Sequence, residues 1–226
     1  ADAAERRALG EQVNAAIDKG VAWLKSRQKS TGAFPAYGDK LPPNTYSPMD
    51  LGVNALVLLT LAKCGVPADD KVMAKGRSWC FSNYANMKGL KKVLVYPSSV
   101  LLMALEAMYN PEAREEASTA ASRYGSSTTR KRSPCKYPAQ VAALVDELTK
   151  FLVRTQVGKV GGWRYPGVEA GAPPGDAEIS NTQYALLGLN AAARCGATVP
   201  AEVFTKALAY VLAEQDQDGL DADLWL

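Results

Sequence analysis

Apolar residues recur along this chain in two distinct patterns. In the first they return at spacings of three and four. Val13, Ile17, Val21 and Leu24 follow it, as do Val141, Leu144, Val145, Leu148 and Phe151, and more briefly Val203, Ala207 and Val211. Such spacing draws one apolar stripe down an α-helix and leaves the other face polar. The second pattern is apolar nearly all round: nine of twelve residues in 51–62, nine of ten in 100–109 and eight of ten in 184–193. Helices of that kind need burial on both sides. The alternation of the two predicts an all-α fold in two layers, with amphipathic helices outside and apolar helices inside.

The connections fit helical-hairpin repeats. Cys64-Gly65-Val66-Pro67 and Cys195-Gly196-Ala197-Thr198-Val199-Pro200 each stop an inner helix at Gly and restart near Pro. Residues 63–80 align with 194–211 without a gap. Short links make neighbouring helices antiparallel. The outer-to-inner links, 29–49, 86–97 and 157–179, are longer and rich in Gly, Pro, Tyr and Asp. They gather on one rim, where binding residues are expected. Residues 1–226 therefore read as one repeat domain, interrupted at 111–137 by a short helix and a mobile basic loop. Within that loop, Arg130-Lys131-Arg132 reads as a solvated run.

Composition narrows the chemistry. The net charge of +3 arises within 111–137; elsewhere acidic and basic residues balance, so no nucleic-acid-binding face is expected. The chain has no His, which removes the commonest metal ligand and neutral-pH acid/base. No metal and no cofactor are expected. No apolar run is long enough to span a bilayer. No signal peptide is visible. The chain opens on Ala1, a start compatible with export after cleavage of one. Cys64 and Cys195 read as small buried hydrophobes.

One motif recurs four times. Lys19-Gly20-x-x-Trp23-Leu24-x-x-x-Gln28-x-x-x-Gly32-x-Phe34 is the fullest copy. Lys75-Gly76-x-x-Trp79-Cys80 begins a second, with Tyr84 in the Gln position. Phe151-Leu152-x-x-x-Gln156 leads to Gly161-Gly162-Trp163, and Lys206-Ala207-x-x-Tyr210-Val211-x-x-x-Gln215-x-x-x-Gly219 forms the last. This pattern resembles the QW repeat of squalene and oxidosqualene cyclases, and more broadly the terpene cyclase and protein prenyltransferase α/α toroids. The resemblance covers most of residues 11–219 outside the insertion. It implies a toroid or an arc of one. It makes Gln28, Gly32 and Phe34, with Gln156, Gly162 and Trp163, structural clasps.

The family's chemistry is another matter. The cyclases use Asp-x-Asp-Asp as a Brønsted acid, since clustered carboxylates keep one proton available. Here Asp176-Ala177-Glu178-Ile179 ends on Ile, and Asp221-Ala222-Asp223-Leu224 ends on Leu. Capping a helix is the simpler role for Asp176, Glu178 and Asp50. The prenyltransferase zinc site needs a His that is absent.

The resemblance thus implies a non-cyclase relative that binds an apolar or extended, isoprenoid-like ligand at the rim. The rim candidates are Tyr46, Asp50, Tyr96, Ser98, Trp163, Arg164, Tyr165, Asn181 and Gln183. One alternative is a squalene-type cyclase with Asp176 and Glu178 as catalytic acids. Another is an interaction scaffold. Because the repeats supply fewer helices than a complete ring of this kind, a homodimer or further chain beyond Leu226 is expected to close it.

Overall fold

A computed structural model describes residues 3–36, 47–90, 93–110, 137–165 and 177–215. Among them are seven helices and no strand: α1 (Ala3–Ser26), α2 (Pro48–Lys63), α3 (Lys71–Gly89), α4 (Val95–Tyr109), α5 (Ala139–Arg154), α6 (Ile179–Arg194) and α7 (Ala201–Ala213). The all-α expectation holds. The insertion lies outside the described residues from 111 to 136, as do Tyr46, Asp176, Gly219 and the Asp221–Leu224 acids.

Local chemistry accounts for the helix ends. The Ser47 hydroxyl accepts the Met49 N–H at 3.3 Å and Pro48 opens α2. The capping role expected of Asp50 therefore falls to Ser47, and Asp50 stands in the first turn. Asp70 caps α3, accepting the Val72 N–H at 2.8 Å. Gly65 and Gly196 take φ of 86° and 89° just past α2 and α6. That left-handed conformation suits only glycine without strain. Of the two cysteines read as buried, Cys195 is buried but Cys64, at the C-cap of α2, is exposed.

The apolar helices form a row, with α4 between α2 and α6. Glycines set the spacing. A Cβ on Gly52 would lie 2.7 Å from the Tyr96 ring, and one on Gly188 would lie 2.8 Å from the Ser99 Cα. At the C-terminal end of the row, Arg194 of α6 pairs with Glu106 of α4 at 3.1 Å, and the Asn110 amide donates to the same carboxylate at 3.1 Å. Glu106 is only 2% exposed. A charge this deeply buried persists only when paired and hydrogen-bonded.

The amphipathic helices flank the row, α3 on α2, α5 on α4 and α6, and α7 on α6. Each is fastened to the next. The Gln28 amide donates to the Gly32 carbonyl at 3.0 Å and to the Val72 carbonyl of α3 at 2.8 Å. Gln156 repeats the pattern, donating to Gly161 at 2.7 Å and to Val203 of α7 at 2.8 Å. Between them, Tyr84 of α3 donates its hydroxyl to Glu147 of α5 at 3.2 Å. The clasp thus reaches forward to the next outer helix, beyond its own helix end.

The turn glycines make this possible. Gly32 and Gly161 have φ of 92° and 89°. A Cβ there would stand 2.5 Å from the Lys75 carbonyl oxygen and 2.3 Å from that of Lys206. The left-handed turn in the third copy therefore belongs to Gly161. Gly162, the clasp glycine, is required for close packing against Ala177, Thr182 and Tyr210.

The two ends of the chain differ in burial. Aligning Gln28 with Gln156 pairs Val13, Ile17 and Trp23 of α1 with Val141, Val145 and Phe151 of α5. The α5 residues are 2%, 4% and 5% exposed, whereas those of α1 are 49%, 43% and 63%. The α5 stripe lies on α4, and no equivalent helix precedes α1 among the described residues.

Thermal unfolding followed by circular dichroism checks the glycine assignments. Gly161→Ala should cost more than about 2 kcal/mol through clash and strain. Gly20→Ala, with nothing within 4 Å of its added methyl, should gain up to about 1 kcal/mol by helix propensity. Equal effects at the two sites would reject the assignment.

Candidate functional site

The inner helices run parallel, so their N-terminal turns share one rim. Tyr96 at the start of α4 touches Gly52 of α2 on one side. On the other it meets Tyr184 of α6 edge-on, with ring centroids 4.6 Å apart. Two segments approach each other here. The Glu178 N–H donates to the Trp163 carbonyl at 2.8 Å, and the Tyr210 hydroxyl of α7 donates to the Ala177 carbonyl at 2.8 Å. These bonds bring Tyr165 beside the first turn of α6.

Trp163 does not line the rim as a stacking surface. It is fully buried, its backbone N–H donates to the Thr182 hydroxyl at 3.0 Å, and its indole N–H donates to the Leu152 carbonyl at 2.8 Å. Both donors are engaged, so its work is the clasp. In the first copy, the Phe34 N–H donates to the Asn54 side chain at 2.6 Å, and Asn54 in turn donates to the Asp50 carbonyl at 2.8 Å. Each clasp aromatic is thus tied to an inner helix through its backbone.

Glu178 holds the N-cap position of α6 without a side-chain capping bond. Its carboxylate instead accepts from the Asn181 amide at 2.6 Å. Glu178 is exposed and Asn181 is buried. Asp176 is outside the described residues, so the expected acid pair is represented by Glu178 alone. Arg164 is half-buried at the same rim, Gln183 is exposed and Asp50 is half-buried.

Two buried polar atoms at this rim have no hydrogen-bond partner among the described residues: the Ser98 hydroxyl oxygen of α4 and the Asn181 side-chain oxygen of α6. Both residues are at most 1% exposed. Buried polar atoms are nearly always paired, so these two stand out. Tyr165 lies next to Asn181. Burial, then the Glu178 charge and Tyr184, hold its phenol above the ordinary value of 10, while a hydrogen bond from Asn181 works in the opposite direction. Tyr184 escapes notice in the sequence because it opens an otherwise apolar run.

Elsewhere, burial of Tyr84 and the adjacent Glu147 charge push that phenol well above its ordinary range. Among the described residues, no group of three or more Cys, Asp or Glu side chains is arranged to hold a metal ion. Nor is any described helix long and apolar enough to cross a membrane.

A cavity of about 690 Å³ lies away from this rim, between α5 and the α6–α7 turn. Nothing in the sequence singles it out, because it depends on how the two elements dock.

Compared with known proteins, the chain matches no family model, no curated protein and no solved structure.

The raised tyrosines set a pH dependence. The folded chain retains phenol protons that the unfolded chain loses near pH 10, so their contribution is complete below that pH and falls as pH rises above it. Ultraviolet titration should show Tyr165 ionising later than a free tyrosine. Glu178→Gln should lower that midpoint only partly, since burial is the larger cause. An unchanged midpoint would remove Glu178 from the Tyr165 environment.

Proposed function

We propose that this chain is a helical-repeat domain of the terpene cyclase and prenyltransferase type that binds an apolar or extended ligand at the inner-helix N-terminal rim without converting it. The observation that carries the reading is the unpartnered buried oxygen of Asn181 beside Tyr165, with the Tyr96–Tyr184 ring pair and the unpartnered Ser98 hydroxyl at the same rim. A ligand that is mostly apolar with one hydroxyl could satisfy the Asn181 oxygen and lay its chain against the aromatic rings. The cyclase alternative is the weaker one, because Glu178 is exposed and its carboxylate accepts the Asn181 amide. In this reading the four clasps fasten an arc of a toroid, and the rim is its working edge.

Titration calorimetry with detergent-dispersed farnesol and squalene tests the reading. Farnesol should bind saturably, and more tightly than squalene, which has no hydroxyl. Asn181→Leu should weaken farnesol about tenfold, or about 1.4 kcal/mol. Mass spectrometry should find no converted product. Product formation lost in Glu178→Gln would favour the cyclase, and absence of any binding would defeat the rim site.

A second reading, an interaction scaffold, draws support from the bare stripe of α1, where Leu9, Val13, Ile17 and Trp23 are 43–63% exposed. A contiguous exposed apolar stripe normally meets a partner, and a second copy of the chain is the simplest. Light scattering should then report a dimer that Val13→Glu with Ile17→Glu converts to monomer. A monomer in the unaltered chain would exclude it.

A further inference from the structure

The internal repeat explains why a cavity opens in the second half of the chain and what it is equipped to hold. In the first half, Lys25 near the end of α1 reaches Asp70, the N-cap of α3, at 2.8 Å. That ion pair straps the outer helix to the turn that follows α2. Aligning Gln28 with Gln156 and Val72 with Val203 puts Val153 in the place of Lys25 and Ala201 in the place of Asp70. The strap is gone. At this place stands the cavity of about 690 Å³, within the range of small-molecule sites.

The lining is divided by chemistry. Val145, Val153, Ala197 and Pro200 supply an apolar floor. Lys150 and Arg154 stand on the same face of α5, one turn apart, and the aligned positions in α1 hold Ala22 and Ser26. The second half has therefore lost a strap and gained two cations at the same place. Asp146 is the acidic side chain of the lining, and it pairs with Lys150 at 2.6 Å. That pair is exposed on both sides, 62% for Asp146 and 71% for Lys150. Exposed pairs contribute little, so Lys150 can turn to a competing anion. The Arg154 guanidinium lies over the Phe151 ring, 5.5 Å from its centroid, which holds it at the helix end. Thr149 also lines the cavity, its hydroxyl donating to the Val145 carbonyl at 2.7 Å.

We propose that this cavity binds an amphiphilic anion of the medium-chain carboxylate class, its chain on the Val145–Val153 floor and its head between Lys150 and Arg154. The site is separate from the rim, and neither depends on the other.

Dodecanoate and dodecyltrimethylammonium, each below its micelle concentration, are titrated into the full chain by calorimetry. Dodecanoate should bind one to one, and the cation at least tenfold more weakly. Lys150→Gln with Arg154→Gln, two solvent-facing changes, should lower dodecanoate affinity about tenfold without altering the circular dichroism spectrum. Val153→Lys with Ala201→Asp copies the first-half strap into the second half and should abolish binding while keeping the fold. Asn181→Leu at the rim should leave dodecanoate binding unchanged. Failure of dodecanoate to bind, equal binding of the cation, or binding that survives the transplanted strap would overturn the proposal.

Discussion

A single primary amide reaching two carbonyls holds successive outer helices together. Gln28 and Gln156 each donate both hydrogens, one to the turn that follows their own helix and one to the first turn of the next outer helix. An alanine would leave the helix ends intact and the docking of neighbours unspecified. The bond also constrains the turn. Gly32 and Gly161 must adopt positive φ, and their missing Cβ leaves room for the Lys75 and Lys206 carbonyls. The next aromatic, Phe34 or Trp163, then presents its N–H to an inner helix through Asn54 or Thr182. One clasp therefore fixes two outer helices and one inner helix at once. Where Tyr84 replaces Gln, the same join is made to a side chain, Glu147, and burial plus that neighbouring charge keep the phenol protonated.

With the outer helices fixed, the inner row carries opposite chemistry at its two ends. At the C-terminal end, the buried Glu106 carboxylate takes an ion pair from the half-buried Arg194 and a hydrogen bond from the Asn110 amide. Removing one member would strand a charge, so this end resists change. At the N-terminal end, Ser98 and Asn181 are buried with unmatched oxygens, and Asn181 lies beside Tyr165.

Repetition also exposes what is not repeated. The same stripe is covered in α5 and bare in α1, because α5 has α4 beneath it. The same strap position is an ion pair in one half and Val153 with Ala201 in the other.

The helix pattern and the clasps were legible in the sequence because both arise from local periodicity and from residues whose backbone freedom is special. Spacings of three and four identify amphipathic helices wherever they pack, and a glycine that must take positive φ carries the same signature in every copy. The site was legible only in part. Trp163 is both a clasp residue and a rim candidate in the sequence, and its full burial leaves only the clasp. Local pattern suffices for the helices, their alternation and the identity of the clasp residues. Tertiary structure decided which polar atoms stay unmatched, which aromatics remain accessible and where a cavity opens. Those outcomes depend on distances between residues far apart in the chain, such as Tyr84 and Glu147, or Lys25 and Asp70, and no local pattern encodes them.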